Sequence, residues 1–463
     1  MADQSRTYDG AVVPGAGTRT ARRGVALTAL AAAQFMVVLD STIVNVALPS
    51  IRDDLGLSPA SLSWVVDGYL VAFGGLLLLG GRLADVFRRR TVFLAGLAMF
   101  VASSVACALA TTGPLLIGAR VLHGAGGAVM APAALSIVMT LFPDGPDRAR
   151  ALGVWGGVSG AGGIAGVLLG GVLSQTLGWP WIFLINVPVG VLVAMAAVGS
   201  VRSLPAAGGA FDIAGAVTVT LSMAALAYGL VSGPQEGWTS WITLGALAVG
   251  LVALVAFLGI ERRAAGPLVP LQVFARARLS TANTIMLLVG AVTVGMFYFL
   301  PQYQQLVLGM SPIETSLAQL PIAGTITGGG LLAPRIARAV GIRPALVGGL
   351  VSLVVGALWL AMRAATTFAG LVGPFLLIGA GIGVSFVYVT SLAVADSLPS
   401  EAGLVSGLVN TTRQMGGALG LATMVAVATG DTPTPHFSAA FAAAAALTGL
   451  ALLLSLTPAL RER

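Results

Sequence analysis

Apolar stretches of about twenty residues or more recur along nearly the whole chain, and no other feature restricts its folding so severely. At ~1.5 Å of rise per residue, a helix needs about 20 apolar residues to cross ~30 Å of hydrocarbon. Backbone groups in lipid must be satisfied within the protein, which leaves helices and closed barrels as the only spanning structures. Barrel strands alternate polar and apolar residues over ~10 positions, and these stretches do not. Only 9% of the 463 residues are charged, against about 25% in a soluble domain. Too little charge is present to cover a water-facing surface, so an all-α polytopic membrane protein is expected.

Spans are expected at 25–48, 61–80, 91–110, 114–141, 149–172, 180–201, 213–233, 239–260, 280–305, 312–338, 343–363, 368–396, 403–429 and 437–457, fourteen in all. Arginine tests this count independently, because basic residues favour cytoplasmic loops. With the N-terminus in the cytoplasm, twenty Arg fall in cytoplasmic segments, among them Arg82, Arg88, Arg148, Arg262, Arg335 and Arg343. Only Arg52 and Arg363 fall outside, while Arg120 and Arg413 lie within spans. Losing or adding one early span would destroy this alternation. Trp64, Trp179, Trp181, Trp238 and Trp241 gather near the external span ends, as an interfacial belt does. The expected location is the cytoplasmic (inner) membrane, with both termini inside.

The same composition removes several function classes. All 24 basic residues are Arg, and a P-loop needs a Lys on the phosphates, so an ATPase of that type is excluded. The net charge of +7 sits in short loops, which reads as topology and not as a nucleic-acid surface. One cysteine, Cys107, precludes an internal disulfide, and two distant histidines, His123 and His436, argue against a structural metal site. No enzymatic chemistry and no cofactor are expected, since no nucleophile–base pair is visible. The polar first 24 residues suit an uncleaved cytoplasmic tail.

Two segments recur in matching order. The second-to-third loop reads GGRLADVFRRR (80–90), and its counterpart after the tenth span reads GGGLLAPRIARAVGIR (328–343). The Gly-rich fifth span (153–171) is matched by the thirteenth, GLVSGLVNTTRQMGGALG (403–420). Two six-helix bundles are therefore expected, at 25–201 and 280–457, with two inserted spans and their linkers at 202–279 and short tails at 1–24 and 458–463. Repeated halves around a central site are a transporter architecture.

These residues also carry a resemblance. The chain looks like the fourteen-span drug:proton antiporter branch of the major facilitator superfamily over nearly its whole length. GRLADVFRRR resembles the superfamily's loop motif, with Asp85 at its acidic position and Arg89 and Arg90 at its basic ones. LDSTIVNVALPSI (39–51) is similar to the branch's first-span motif, with Asp40 at the acidic position. RVLHGAGGAVMAP (120–132) resembles the fourth-span motif, with His123 where Gln is usual. The fifth span resembles the antiporter motif, with Gly166-Val167 in place of Gly-Pro; WIFLINVPVG (181–190) and FDIAG (211–215) are also typical. The resemblance implies the major facilitator fold, a monomer, and proton-driven transport of small molecules by alternating access. It places Asp85, Arg89 and Arg90 at a cytoplasmic gate, and the Gly-rich spans carrying Gly166 and Arg413 are assigned to gating contacts.

A charge at mid-bilayer costs several kcal/mol and marks a functional site by default. At ~1.5 Å per residue, Asp40 and Asp67 lie about 5 Å, and Arg120 about 10 Å, to the external side of their span midpoints. Asp40 is expected to couple transport to protons, with Asp67 as a second acid, Arg120 tuning both and His123 joining the relay. Gln34, Ser41 and Asn45 share one stripe of the first span and are candidates for substrate contact. Phe297, Tyr298, Gln302, Tyr303 and Gln305 at the end of the ninth span, with Phe386 and Tyr388 in the twelfth, either line an amphipathic pocket or form an external aromatic belt. The expected partners are a small-molecule substrate, protons and the lipid bilayer. Export of amphipathic molecules is the leading expectation; uptake by a symporter or facilitator on the same fold is the alternative.

Overall fold

The computed structural model describes residues 16–142, 145–201, 212–264, 267–269, 271–363, 367–395, 402–429 and 435–460. Within them the regular elements are helices, apart from two short 3-10 turns. In chain order they are α1 (Ala16–Leu55), α2 (Pro59–Val86), α3 (Arg89–Ala108), α4 (Gly113–Leu141), α5 (Gly145–Thr176), α6 (Trp181–Leu184), α7 (Asn186–Ser200), α8 (Ile213–Glu236) and α9 (Trp241–Glu261). Then follow α10 (Ala277–Leu306), α11 (Pro312–Ala318), α12 (Leu320–Val340), α13 (Ile342–Met362), α14 (Phe368–Val394), α15 (Ala402–Ala428) and α16 (Phe437–Ser455). The linker 202–211 and the tails 1–15 and 461–463 lie outside the described residues.

Twelve of the described helical stretches are long and apolar enough to cross a membrane. The two expected spans absent from that set are 312–338 and 403–429. The first is broken at Gln319 into α11 and α12 and ends in Arg335 and Arg338; the second is interrupted by the polar run Asn410–Gln414. The expected span 180–201 is likewise divided at Ile185 into α6 and α7. α1 begins at Ala16, inside the segment expected as a tail, and continues through Pro49.

Sequence signals fix several helix starts. Ser58 caps α2 by accepting from Ser61 N–H, with Pro59 as the first helical residue. Ser311 and Glu314 form a reciprocal capping box at α11, again followed by Pro. Ser240 and Asp212 cap α9 and α8. The connections alternate between two ends of the bundle, called here the Ser58 end and the Arg88 end.

The helices pack in two sets with the same pairings. In the first, α1 packs on α4, α5 and α7, α4 on α2 and α3, and α3 on α7. In the second, α10 packs on α14, α15 and α16, α14 on α12 and α13, and α13 on α16. The α8–α9 hairpin lies across α2 and α15, where Ala227 and Val231 of α8 share an apolar cluster with Ala60 of α2 and Ala422 of α15.

Small residues set these approaches. A Cβ on Gly166 of α5 would fall 2.6 Å from the Leu39 carbonyl oxygen of α1, and closer still to Thr42 Oγ1. Gly162 and Gly170, one turn to either side, meet α1 in the same way. Without a hydrophobic force between helices in lipid, such backbone approach is the main source of packing energy.

Candidate functional site

The interior of the first set of helices holds a closed ring of hydrogen bonds. Arg120 and His123, three residues apart on α4, share one face. Arg120 Nη1 donates to Asp40 Oδ2 of α1 at 2.7 Å, and Arg120 Nε donates to the Val65 carbonyl of α2 at 2.9 Å. His123 Nδ1 lies 3.2 Å from Arg120 Nη1 and 3.5 Å from Asp40 Oδ2. With Arg120 donating to Nδ1, the imidazole presents Nε2 to Ser104 Oγ of α3, 2.8 Å away. Asn186 Nδ2, at the start of α7, reaches both Ser104 Oγ at 3.2 Å and Asp40 Oδ1 at 3.3 Å. The path from Asp40 through Arg120, His123, Ser104 and Asn186 therefore returns to Asp40.

Aromatic rings wall this network off. The Arg120 guanidinium stands 4.4 Å over the Tyr69 ring and 5.7 Å over Phe183. Phe100 packs on His123 at 4.0 Å between ring centroids. Asp40, Arg120, His123, Ser104 and Asn186 are all at most 1% exposed. A buried ion pair repays its desolvation only when geometry and further hydrogen bonds are good, and here both carboxylate oxygens and three guanidinium contacts are used.

Asp67 is different. Its side chain is also fully buried, yet neither carboxyl oxygen has a hydrogen-bond partner among the described residues. It does not share the company of Arg120, which bonds α2 through the backbone at Val65 instead.

The remaining candidates are dispersed. Gln34 Nε2 donates to Ser159 Oγ of α5 at 3.3 Å, while Ser41 Oγ and Asn45 Nδ2 turn back onto carbonyls of α1. Tyr298 of α10 donates to the Pro59 carbonyl at 3.4 Å, Gln302 to the Tyr298 carbonyl at 3.0 Å, and Gln305 to the Val46 carbonyl at 2.9 Å. Phe297 is half-buried. Tyr303 packs edge-on against Phe437 and Phe441 of α16, and Tyr388 donates to the Ala333 carbonyl at 2.8 Å. These two tyrosines are buried between helices of the second set. Arg413 donates to Asn410 Oδ1 at 2.9 Å and stands 5.6 Å from the Phe386 ring.

At the Arg88 end, Arg89 Nη1 donates to Thr140 Oγ1 of α4 at 2.8 Å and Arg90 Nη2 to the Val198 carbonyl of α7 at 2.9 Å. Both bonds stay inside the first set of helices. The Asp85 side chain lies outside the described residues. Gly166 sits at the α1–α5 approach already described.

Helices of the two sets are tied together at the Ser58 end. Besides the Tyr298 and Gln305 bonds, Ile313 N–H donates to Gln175 Oε1 at 3.0 Å and Ser316 Oγ to the Val167 carbonyl at 2.7 Å. Both join α11 to α5. Toward the Arg88 end, a Cβ added at Gly153, Gly156, Gly157, Gly160 or Gly163 of α5, or at Gly324 or Gly328 of α12, would meet nothing within 4 Å.

Ser104, Asn186 and Tyr69 were not among the residues expected at the site. Asn186 had a signal, as the one amide in the apolar motif WIFLINVPVG; a serine such as Ser104 in an apolar span has none. Among the described residues no three His, Cys, Asp or Glu side chains stand together as a metal site.

A family profile described as Major Facilitator Superfamily matches residues 30–421. A cephamycin export protein of Amycolatopsis lactamdurans is 38% identical over 97% of this chain and 96% of its own length. A puromycin resistance protein of Streptomyces alboniger is 38% identical over 89% of this chain and 83% of its own. A tetracenomycin C resistance and export protein of Streptomyces glaucescens is 36% identical, over 89% and 77%. In fold, the chain is similar to the nucleoside transporter NupG, with a TM-score of 0.68 at 13% identity over 94% of this chain and 99% of that one. A peptide transporter, POT, also gives 0.68, at 16% identity over 93% of each chain.

Proposed function

Because the chain belongs to the major facilitator superfamily, we propose that it exports small amphipathic molecules across the cytoplasmic membrane in exchange for protons, by alternating access. The observation that carries this reading is the asymmetry of the α5 seam. It is bonded to α11 at the Ser58 end, whereas toward the Arg88 end its glycines, like Gly324 and Gly328 of α12, have open space beside them, with a buried charge layer between. That is the arrangement of a carrier closed to one side and accessible from the other. The relatives named for antibiotic export and resistance support the outward direction and the substrate class.

In this reading the Arg88 end is cytoplasmic, in keeping with the 20:2 split of loop arginines, and α11–α12 and α15 complete fourteen spans. The two sets of helices, with matching pairings, act as halves that rock about the charge layer as a monomer. α8 and α9 are inserted between them. Arg89 and Arg90 brace the cytoplasmic face of the first half, and the glycines around Gly166 lock α5 to α1 so that both move together. Tyr298 and Gln305, whose bonds cross between the two sets, and Gln34, bonded to Ser159 beside the uncrowded glycines of α5, are the candidates for substrate contact. Protons supply the driving force, and no bound cofactor is needed.

The test is export by a drug-sensitive host carrying the chain. Tolerance to puromycin or a cephamycin should rise relative to an empty vector, and ethidium efflux should stop on addition of a protonophore. Accumulation that rises when the chain is expressed would instead make it an uptake carrier.

A further inference from the structure

Ala60, Asp67 and Gly74 follow one another at intervals of seven residues, close to two helical turns, and so lie on one face of α2. Both outer members lie beside α15. Ala60 shares an apolar cluster with Ala422, and a Cβ on Gly74 would stand 3.0 Å from Gln414 Cβ. Asp67 therefore sits between them on the α2 face that meets the second set of helices. Tyr298 of α10, from the same second set, is within electrostatic reach of it.

The setting of Asp40 is the reverse. Every partner of its carboxylate comes from the first set, through Arg120 and His123 of α4 and Asn186 of α7. A rocking motion of one set against the other leaves those neighbours unchanged. The same motion separates α2 from α15 and α10 and changes the surroundings of Asp67.

We propose that Asp67, at the seam between the two halves, is the carboxyl that takes up and releases the transported proton, and that Asp40 holds Arg120 in place throughout the cycle. This rests on the proton-coupled reading above and reassigns the coupling role that sequence alone favoured for Asp40. The groups facing Asp67 suit such a carrier. α8 bears no charged residue between Ile213 and Pro234, and its Tyr228 packs on Trp64. Arg413 of α15 is engaged with Asn410 and Phe386, and Arg52 of α1 with Asp53. Arg120 and His123 are held on the opposite side of α2, where Val65 and Tyr69 face α4. No described cation locks Asp67 in its charged form, and no described donor does so when the seam is closed.

Infrared difference spectroscopy of the full-length protein in lipid, titrated from alkaline to acid pH, reads carboxyl protonation without any substrate. A high-frequency band of a protonated carboxyl without hydrogen bonds, apart from the bands of the solvated Asp and Glu, should appear in wild type and in Asp40→Asn and be lost in Asp67→Asn. A band that survives in Asp67→Asn, or a wild type without one, overturns the assignment. Should Asp40→Asn fail to fold, the Asp67→Asn comparison still decides. Because the spectrum does not depend on transport, its outcome is separable from the dye-efflux test of proton-coupled export.

Discussion

Asp40 and Arg120 stand 80 residues apart in the chain and meet at 2.7 Å, with both side chains shut away from solvent. Their ring of partners spans α1, α3, α4 and α7 and touches α2, so one contact organises most of the first set of helices.

Breaking that pair should therefore be costly to the fold as well as to transport. Arg120→Gln is expected to destabilise the protein by about 3–5 kcal/mol, the usual penalty for stranding one buried charge. The double variant Asp40→Asn/Arg120→Gln should recover part of this loss. Thermal unfolding of the purified protein in detergent checks both, and additive losses in the double variant would mean that the two residues do not act as a unit.

The glycines of α5 divide into two kinds. Gly166→Ala should cost about 1–3 kcal/mol through overpacking against α1, because its Cβ would press on Leu39 O and Thr42. Gly157→Ala, beside open space, should leave the unfolding temperature unchanged or raise it, since alanine is the better helix former. Equal losses at both positions would show that α5 is packed along its whole length.

Closure at the Ser58 end can be trapped. Gln175 and Ile313 are joined by a 3.0 Å hydrogen bond across the α5–α11 seam, while the native Cys107 is buried elsewhere, on α3. Gln175→Cys/Ile313→Cys should cross-link under a mild oxidant or a short bifunctional reagent. Dye efflux should stop on cross-linking and return after cleavage with a reductant. Efflux at the normal rate through a fully cross-linked protein would mean that this seam does not open.

At the opposite end, Arg343 at the start of α13 donates to the carbonyls of Ser455 at 3.1 Å, Thr457 at 3.2 Å and Leu456, capping the end of α16. Arg343→Ala should cost about 1.5–3 kcal/mol, the range for hydrogen bonds to a charged group. Water can replace part of the cap, so the loss should be smaller than at Arg120. Melting temperature should fall while the protonophore-sensitive fraction of efflux stays as in wild type.

Long apolar stretches made the helical fold and most of its spans legible before any coordinates, because length and hydropathy are local properties. The burial of Asp40, Asp67 and Arg120 inside the bundle was legible too, because a charge in a long apolar stretch has to be shielded from lipid. Azimuth was not. Asp67 was grouped with Arg120 because both occupy one layer, yet it lies two residues, about 200° of helical turn, from the Val65 carbonyl that Arg120 holds. Tyr303 and Tyr388 show the same limit: each carries an apolar ring and a polar tip that suit a pocket or a packed interior equally well. Which applies depends on the neighbouring helix, and α16 and α12 turn out to be those neighbours. Ser104 was invisible because its role depends on His123 and Asn186, which lie 19 and 82 residues away.

The α8–α9 hairpin makes the two flanks of the bundle unequal. α8 lies along both α2 and α15, where Thr220 stands against Gly75 and Ala227 shares the apolar cluster of Ala60 and Ala422. No such neighbour crowds Gly153, Gly156, Gly157 and Gly160 of α5. Enlarging a side chain is therefore resisted at Gly75, where the approach of α8 to α2 leaves no room, and tolerated at Gly157.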